Sequence, residues 1–251
     1  PTQLRDIAKN LLRSNEANLN VEVKRGTETF TKVLKCYPAK ELNLYQDYTG
    51  KEMDKSYRLI QPDIGYVFLG RIKGNEIPDM MELFKDTKGI VIDIRNYPSE
   101  FVVFSMTKYL LPSPKDFVKF TGGQVANPGA FTWTKSIAVG EKNPDYYKGK
   151  VAILINEISQ SQAEYTTMAL RTAPRAKVIG STTAGADGNV SKLLLPGNLR
   201  TMISGIGVFY PDGTPTQRVG IIPDIPCEPT IKGIQAGKDE VLDRAIQYIK
   251  E

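Results

Sequence analysis

The sequence predicts an α/β domain built on parallel strands with helices packed on the sheet, and three observations predict it. Residues 151–155, Val-Ala-Ile-Leu-Ile, form a continuous apolar run of strand length, as a strand buried on both faces requires. Residues 89–94 and 176–180 read as two further strands of the same sheet. Between and after these runs, apolar residues recur at helical spacing: Val102, Phe104, Met106, Tyr109 and Leu110 in one segment, Ala163, Thr167, Met168 and Leu170 in another. Strand–helix–strand repetition requires crossover connections, hence parallel strands with helices on the sheet.

The elements follow in order. Thr2 is placed to cap a first helix carrying Leu4, Ile7, Ala8, Leu11 and Leu12. Residues 19–25 and 29–34 alternate apolar and polar and are joined through Gly26, the pattern of a β-hairpin. A helix and a hairpin are too little chain for a core of their own, so residues 1–37 read as the tail of a separate module. The polar, turn-rich residues 38–55 are a linker, and residues 56–251 form the main domain. Within it, residues 57–60 and 65–72 read as extended and residues 79–84 as a short helix. Residues 190–224 shift to short extended pieces with turns at Pro196-Gly197 and Pro211-Asp212-Gly213-Thr214, and residues 241–249 close the chain as a helix.

Composition narrows the function. Of 251 residues, 41% are hydrophobic and 24% charged, which fits an ordered globular chain rather than a disordered one. The net charge of +5 is scattered with no Lys/Arg block, which argues against nucleic acid as a partner. Two cysteines, Cys36 and Cys227, make no disulfide framework. No apolar run approaches the roughly 18 residues of a membrane span. The chain opens on Pro1 rather than methionine, so sequence is expected ahead of it, and the lack of a targeting segment is uninformative. Nothing in the sequence calls for a metal or a cofactor. One absence decides more than the rest: with no histidine, a Ser–His pair within these residues is excluded.

The chemistry is expected at Ser161. It follows the 151–155 strand and opens the next helix, where unpaired N–H groups of the first turn can stabilise an oxyanion. The same serine also reads as a plain capping box, Ser161-x-x-Glu164, with no chemistry at all. Three other loops leave strand ends or lie late in the chain, and in an open α/β sheet such loops converge on one crevice. They are Arg95-Asn96-Tyr97-Pro98-Ser99-Glu100, then Ser181 through Asn189, and Gln217-Arg218-Val219-Gly220-Ile221-Ile222-Pro223-Asp224.

The order and spacing of these four stretches resemble the C-terminal processing (tail-specific) serine proteases and their tricorn-like branch. That family has a D-x-R-x-N-x-G-G loop, an S-x-S-x-S-E segment bearing the nucleophile, a G-x-x-T-x-G loop and a closing G-I-x-P-D-I signature. A PDZ domain precedes them, and residues 1–37 resemble the last helix and last two strands of one. The resemblance spans roughly residues 1–230 and implies a crotonase/ClpP-like β-β-α superhelix. It implies Ser161 as nucleophile, Ser159 as a non-nucleophilic serine, and an oxyanion hole from the backbone around Pro98-Ser99 with the N–H of Gln162. Family glycines stand at Ser99 and Glu100 here; their N–H groups survive the change while the freedom to take φ > 0 is lost.

The general base departs from the family. Its lysine position is Ala186 here, its neighbouring glutamine is Val190, and Gln217 stands where tricorn-like members orient their base with an acid. In that branch the base is a histidine ahead of the PDZ domain, which would lie outside this sequence. Lys192 is the nearest downstream lysine, but it reads as a solvated strand residue. Asp93 and Arg95 read as an ion pair or loop anchor, Asp187-Gly188 first as a turn and only second as a substrate contact, and Tyr66, Phe68 and Trp133 as core or groove aromatics.

Three readings result. The first is a serine-type endopeptidase acting on a peptide or protein substrate, with its base supplied from outside these residues and the chain alone nearly inactive. The second is a non-catalytic peptide- or ligand-binding protein on the same fold. The third, an acyl-CoA enzyme of the crotonase type, has no support from the PDZ-like tail. Family habit implies the periplasm or cell envelope, and the sequence leaves the oligomeric state open.

Overall fold

A computed structural model describes residue 7, residues 10–42 and residues 55–251. Of the first expected helix, Leu4 and Ala8 lie outside the described residues, as do residues 43–54 of the expected linker. Strands β1 (Asn18–Arg25) and β2 (Glu28–Lys35) pair antiparallel in full register, with Gly26 at φ 64° in the turn. They form a two-stranded sheet separate from the rest, and neither strand contains a buried residue.

The main sheet has six strands in the order β14-β10-β9-β5-β4-β3. These are β3 (Tyr57–Gln61), β4 (Ile64–Phe68), β5 (Gly89–Asp93), β9 (Lys150–Ile155), β10 (Ala176–Gly180) and β14 (Ile225–Pro226). All neighbours pair in parallel except the β3–β4 edge, which is antiparallel. The parallel strands follow from the crossover helices: α1 (Ile77–Phe84), α2 (Val103–Leu110) and α3 (Gln162–Leu170) separate consecutive members.

Strand alternation assigns two cores. Val151, Ile153 and Ile155 of β9 face a large core with Met80, Met106 and Met168 from the three helices. Ala152 and Leu154 face the opposite side, against Val241, Ala245 and Ile249 of the C-terminal helix α5 (Glu240–Lys250). A strand lined on both faces has no polar side, which is why its sequence is an unbroken apolar run.

A second sheet was not foreseen from the pattern: β6 (Lys115–Gly123) pairs with β13 (Ile206–Phe209), β7 (Phe131–Trp133) and β8 (Ile137–Val139). Only Phe117 and Val118 of β6 are buried, so its sequence carries little periodic signal. Strands β11 (Val190–Leu195) and β12 (Leu199–Ser204) form a separate hairpin, and a short helix α4 (Ile231–Gln235) precedes α5. Expected boundaries shift slightly. The extended stretch read over residues 65–72 ends at Phe68, and α1 begins two residues earlier than expected, with Pro78 in its first turn. Trp133 is not a core aromatic; it is 55% exposed at the β7 edge, its ring meeting Phe209 edge-on.

Candidate active site

The turn between β9 and α3 is held from within and from its neighbour. Ser159 N–H donates to Asn156 O, Asn156 N–H donates to Ser159 Oγ, and Ser159 Oγ–H donates to Ile94 O at 2.8 Å. Fully buried, Ser159 latches the end of β9 to the loop after β5, a structural task that uses up its hydroxyl proton. Ser161 comes next, at φ 54° and ψ −116°. A side chain in that region is strained, and such strain persists only where surrounding bonds impose it. Glycine would be the ordinary choice; serine stands there, immediately ahead of the α3 N-terminus.

What imposes the strain is Glu164, which is fully buried. Its Oε2 accepts from Ser161 N–H at 3.0 Å and Ala186 N–H at 3.0 Å; its Oε1 accepts from Thr183 Oγ1 at 2.6 Å and Gly185 N–H at 2.7 Å. Four donors fill the lone-pair sites of one carboxylate. The capping box is therefore real, but its carboxylate does more than cap. The other arm, from Glu164 N–H to Ser161 Oγ, belongs to the box while falling short of a regular cap bond. Thr183 Oγ1 in turn accepts from Ile221 N–H at 2.6 Å, tying in the late signature segment. Gly185, at φ 66°, lies so close to Arg218, Val219 and Gly220 that a side chain would press on their backbone.

The other expected site residues fall along the same hydrogen-bonded path. Gln162 Nε2 donates to Glu100 O at 2.8 Å, drawing the start of α3 onto the loop containing Ser99. Ser99 itself turns inward: its N–H donates to Leu69 O at 2.9 Å and its Oγ–H is directed at Ile72 O at 2.6 Å. For Ser99 N–H to serve an oxyanion it must first leave Leu69. Gln162 is the first residue of α3, so its N–H has no acceptor within the helix. Gln217 is engaged throughout: its Oε1 accepts from Val208 N–H at 3.2 Å, and its Nε2 donates to Asp187 O and Ile206 O, each at 2.9 Å. It clamps the 181–189 loop to β13.

Asp187, expected as a turn residue, is 7% exposed. Oδ1 accepts from Gly188 N–H at 2.7 Å, while Oδ2 is buried without a hydrogen-bond partner. Burial first, then the Glu164 carboxylate, push its pKa up to about 7, against the Gly188 bond. Sequence reading gave neither carboxylate its bonding role. Glu164 was visible as half of a cap and as the acid of the serine segment, and Asp187 as a turn residue first and a substrate contact only second.

Several residues take the structural reading. Arg95 bridges Asp93 at 2.6 Å and Asp239 at 2.7 Å, and Tyr66 Oη–H donates to Asp93 at 2.9 Å. Burial works against the Arg95 cation, but the two carboxylates outweigh it and raise its pKa. Asp224 accepts from Arg171 at 2.9 Å and from Val178 N–H at 2.8 Å, so the late Pro-Asp pair pins the end of α3 to the outer strands. Lys192 is exposed on β11. No cluster of metal-ligating side chains is present among the described residues.

With this geometry in place, comparison with known proteins is decisive: the model of peptidase family S41 matches residues 63–227. The chain belongs to peptidase family S41. The S41 chain is 27% identical over 195 residues to a carboxy-terminal-processing protease of Bartonella bacilliformis, covering 73% of this chain and 43% of the relative. It therefore spans less than half the length of that curated relative. Its fold is similar to CPAF complexed with lactacystin, with a TM-score of 0.71, 15% identity and coverage of 95% of this chain and 69% of that one. It is also similar to the photosystem II D1 C-terminal processing protease, with a TM-score of 0.50, 19% identity and coverage of 89% and 59%. The mixed α/β fold of this S41 chain is thus the fold of that family's solved members.

Proposed function

We propose that this S41 chain is the catalytic part of a serine-type endopeptidase that cleaves extended peptide or protein substrates through Ser161. The observation that carries the reading is the strained backbone of Ser161 at the head of α3. A plain cap needs an extended, unstrained residue, whereas a nucleophile gains from a sharp strand-to-helix turn that exposes its hydroxyl. Oγ attacks the scissile carbonyl to give an acyl-enzyme, and water then hydrolyses it. The developing oxyanion is met by Gln162 N–H, with the loop at Ser99 as the second side of the hole after its bond to Leu69 is released. Gln217 is a positioning residue, holding the loop that bears Ala186 and Asp187 against the serine segment. The base comes from sequence outside these residues, a histidine in the manner of the tricorn-like branch. The β1–β2 hairpin is the end of a PDZ-like unit over residues 1–37, joined by residues 38–55 to a protease domain over residues 56–251. The setting proposed is the periplasm or cell envelope.

A non-catalytic peptide- or ligand-binding role is the second reading. It is favoured by Ala186 at the lysine position and by a Gln217 amide already filled by backbone partners. Labelling by a fluorophosphonate together with cleavage of an unstructured peptide separates the two. The longer protein carrying the N-terminal segment should be labelled and active, the 251-residue chain slower by about 10²–10⁴ for want of a base. Ser161→Ala should abolish both signals, and unchanged labelling in Ser161→Ala would remove Ser161 from the chemistry.

A further inference from the structure

Among the described residues three buried side-chain oxygens lack a hydrogen-bond partner, Asn96 Oδ1, Gln160 Oε1 and Asp187 Oδ2, and Asp187 is the one carboxylate of the three. A buried carboxylate oxygen without a donor is a costly arrangement, and folded chains rarely keep one unless something arrives to fill it. It is 7% exposed, its other oxygen is already bonded to Gly188, and its own carbonyl is held by Gln217. The residue before it, Ala186, donates to the same Glu164 oxygen as Ser161 N–H. Two bonds of 3.0 Å to one atom place those nitrogens within about 6 Å of each other. The unpartnered carboxylate thus belongs to the residue that follows Ala186, which shares the Glu164 anchor with Ser161.

We propose that Asp187 Oδ2 is the docking acceptor for an imidazole N–H, fixing the base that serves Ser161 and stabilising its cation. The inference rests on the nucleophile reading of Ser161 and names the group on this chain that receives the base. An imidazole suits the place because its two nitrogens lie across a ring. One accepts the Oγ proton while the other donates to Oδ2, and the ring's positive charge then faces a carboxylate. The proton leaves Ser161 Oγ as its bond to the acyl carbon forms, resides on the ring, and passes to the leaving amine as the C–N bond breaks. Gln217 carries no charge, and its amide is engaged with Val208, Asp187 and Ile206, so stabilising the cation falls to Asp187. The groups facing it are Glu164 and Tyr165 of α3, the latter's phenol pKa being raised by burial and by Asp187.

Free imidazole is the probe, added to the 251-residue chain and followed by amide shifts and by fluorophosphonate labelling of Ser161. Saturable shifts at Ala186 and Gly188, weakened about tenfold or more in Asp187→Asn, support the proposal. Asn keeps the Oδ1 acceptor for Gly188, so the loop is retained, and a melting temperature no lower than the wild type's verifies it. Asp187→Glu, which keeps the carboxylate, should restore part of the affinity. Shifts that are absent, or equal in wild type and Asp187→Asn, overturn it. If Asp187→Asn melts early and Asp187→Glu restores stability without imidazole affinity, the carboxylate is structural and the proposal also falls. In the longer protein, Asp187→Asn should lower kcat and labelling by about 10²-fold. A rise in KM alone, with labelling intact, would make Asp187 a substrate contact instead. The two readings fail separately: imidazole bound through Asp187 with Ser161 unlabelled removes the peptidase, while Ser161 labelled with Asp187→Asn indifferent removes only this inference.

Discussion

Asp187 shows at the scale of one side chain how a site can work against the stability of its fold. Its carboxyl titrates at about 7 in the folded chain against an ordinary 3.8, with burial as the main cause. The folded state therefore holds the proton to higher pH than the unfolded state does. The associated stability is fully present below pH 4 and is lost as pH rises toward 7. Asp187→Asn has no such proton to lose. Between pH 4 and 7.5 the wild type should lose roughly 2–4 kcal/mol relative to Asp187→Asn, measured as urea midpoints across the range. Parallel pH profiles for the two proteins would show that the carboxyl does not carry the shift. Ser161 makes the same point through its backbone, where the strained φ is held by Glu164 rather than by local preference. No propensity in a sequence announces a positive φ on a serine, which is why Ser161-x-x-Glu164 reads equally well as an ordinary cap.

Between elements, Glu164 is the junction of α3 with the loop after β10, and it explains what the sequence could and could not reveal. Glu164→Gln replaces one acceptor oxygen by an NH2 group facing two donors, either Ser161 and Ala186 or Thr183 and Gly185. With one or two buried donors left unpaired at roughly 1–3 kcal/mol each, the variant should lose about 2–5 kcal/mol of stability in urea unfolding. A loss under 1 kcal/mol would mean that the loop reorients freely. The parallel strands were legible because burial on both faces forces apolar runs at β5 and β9. The β6 sheet was not, because most of its residues lie outside the core and follow neither period. The motif loops were legible in order and spacing, yet their bonding was hidden. Ser99 anchors the 69–72 turn, and Thr183 bridges Glu164 to Ile221, through atoms far apart in the chain. Long-range hydrogen bonds leave no periodic trace.

At the scale of the whole domain, one ion cluster joins the site's loop to the far end of the chain. Arg95 opens the loop that carries Ser99 and reaches Asp239, which also caps α5 by accepting from Leu242 N–H at 3.1 Å. Helix α5 covers the second face of β9, so its seating and that of the loop are set by one side chain. Burial raises the Asp239 carboxyl, but Arg95 outweighs it and holds the group below its usual range. Asp239 is partly exposed, so solvent screening moderates the pair, and the cap and the ion pair must be measured apart. Asp239→Asn keeps a good N-cap and removes the charge, while Arg95→Met removes the cation and keeps its apolar stem. A double-mutant cycle in urea should give a coupling of about 0.5–2 kcal/mol between the two positions. Asp239→Ala should lose about 1 kcal/mol beyond Asp239→Asn, since the cap goes as well. Each variant should keep a single cooperative transition with an unchanged denaturant slope, because α5 and the sheet share one core. Zero coupling would leave α5 and the Ser99 loop energetically independent, and a second transition in Asp239→Ala would show α5 unfolding on its own.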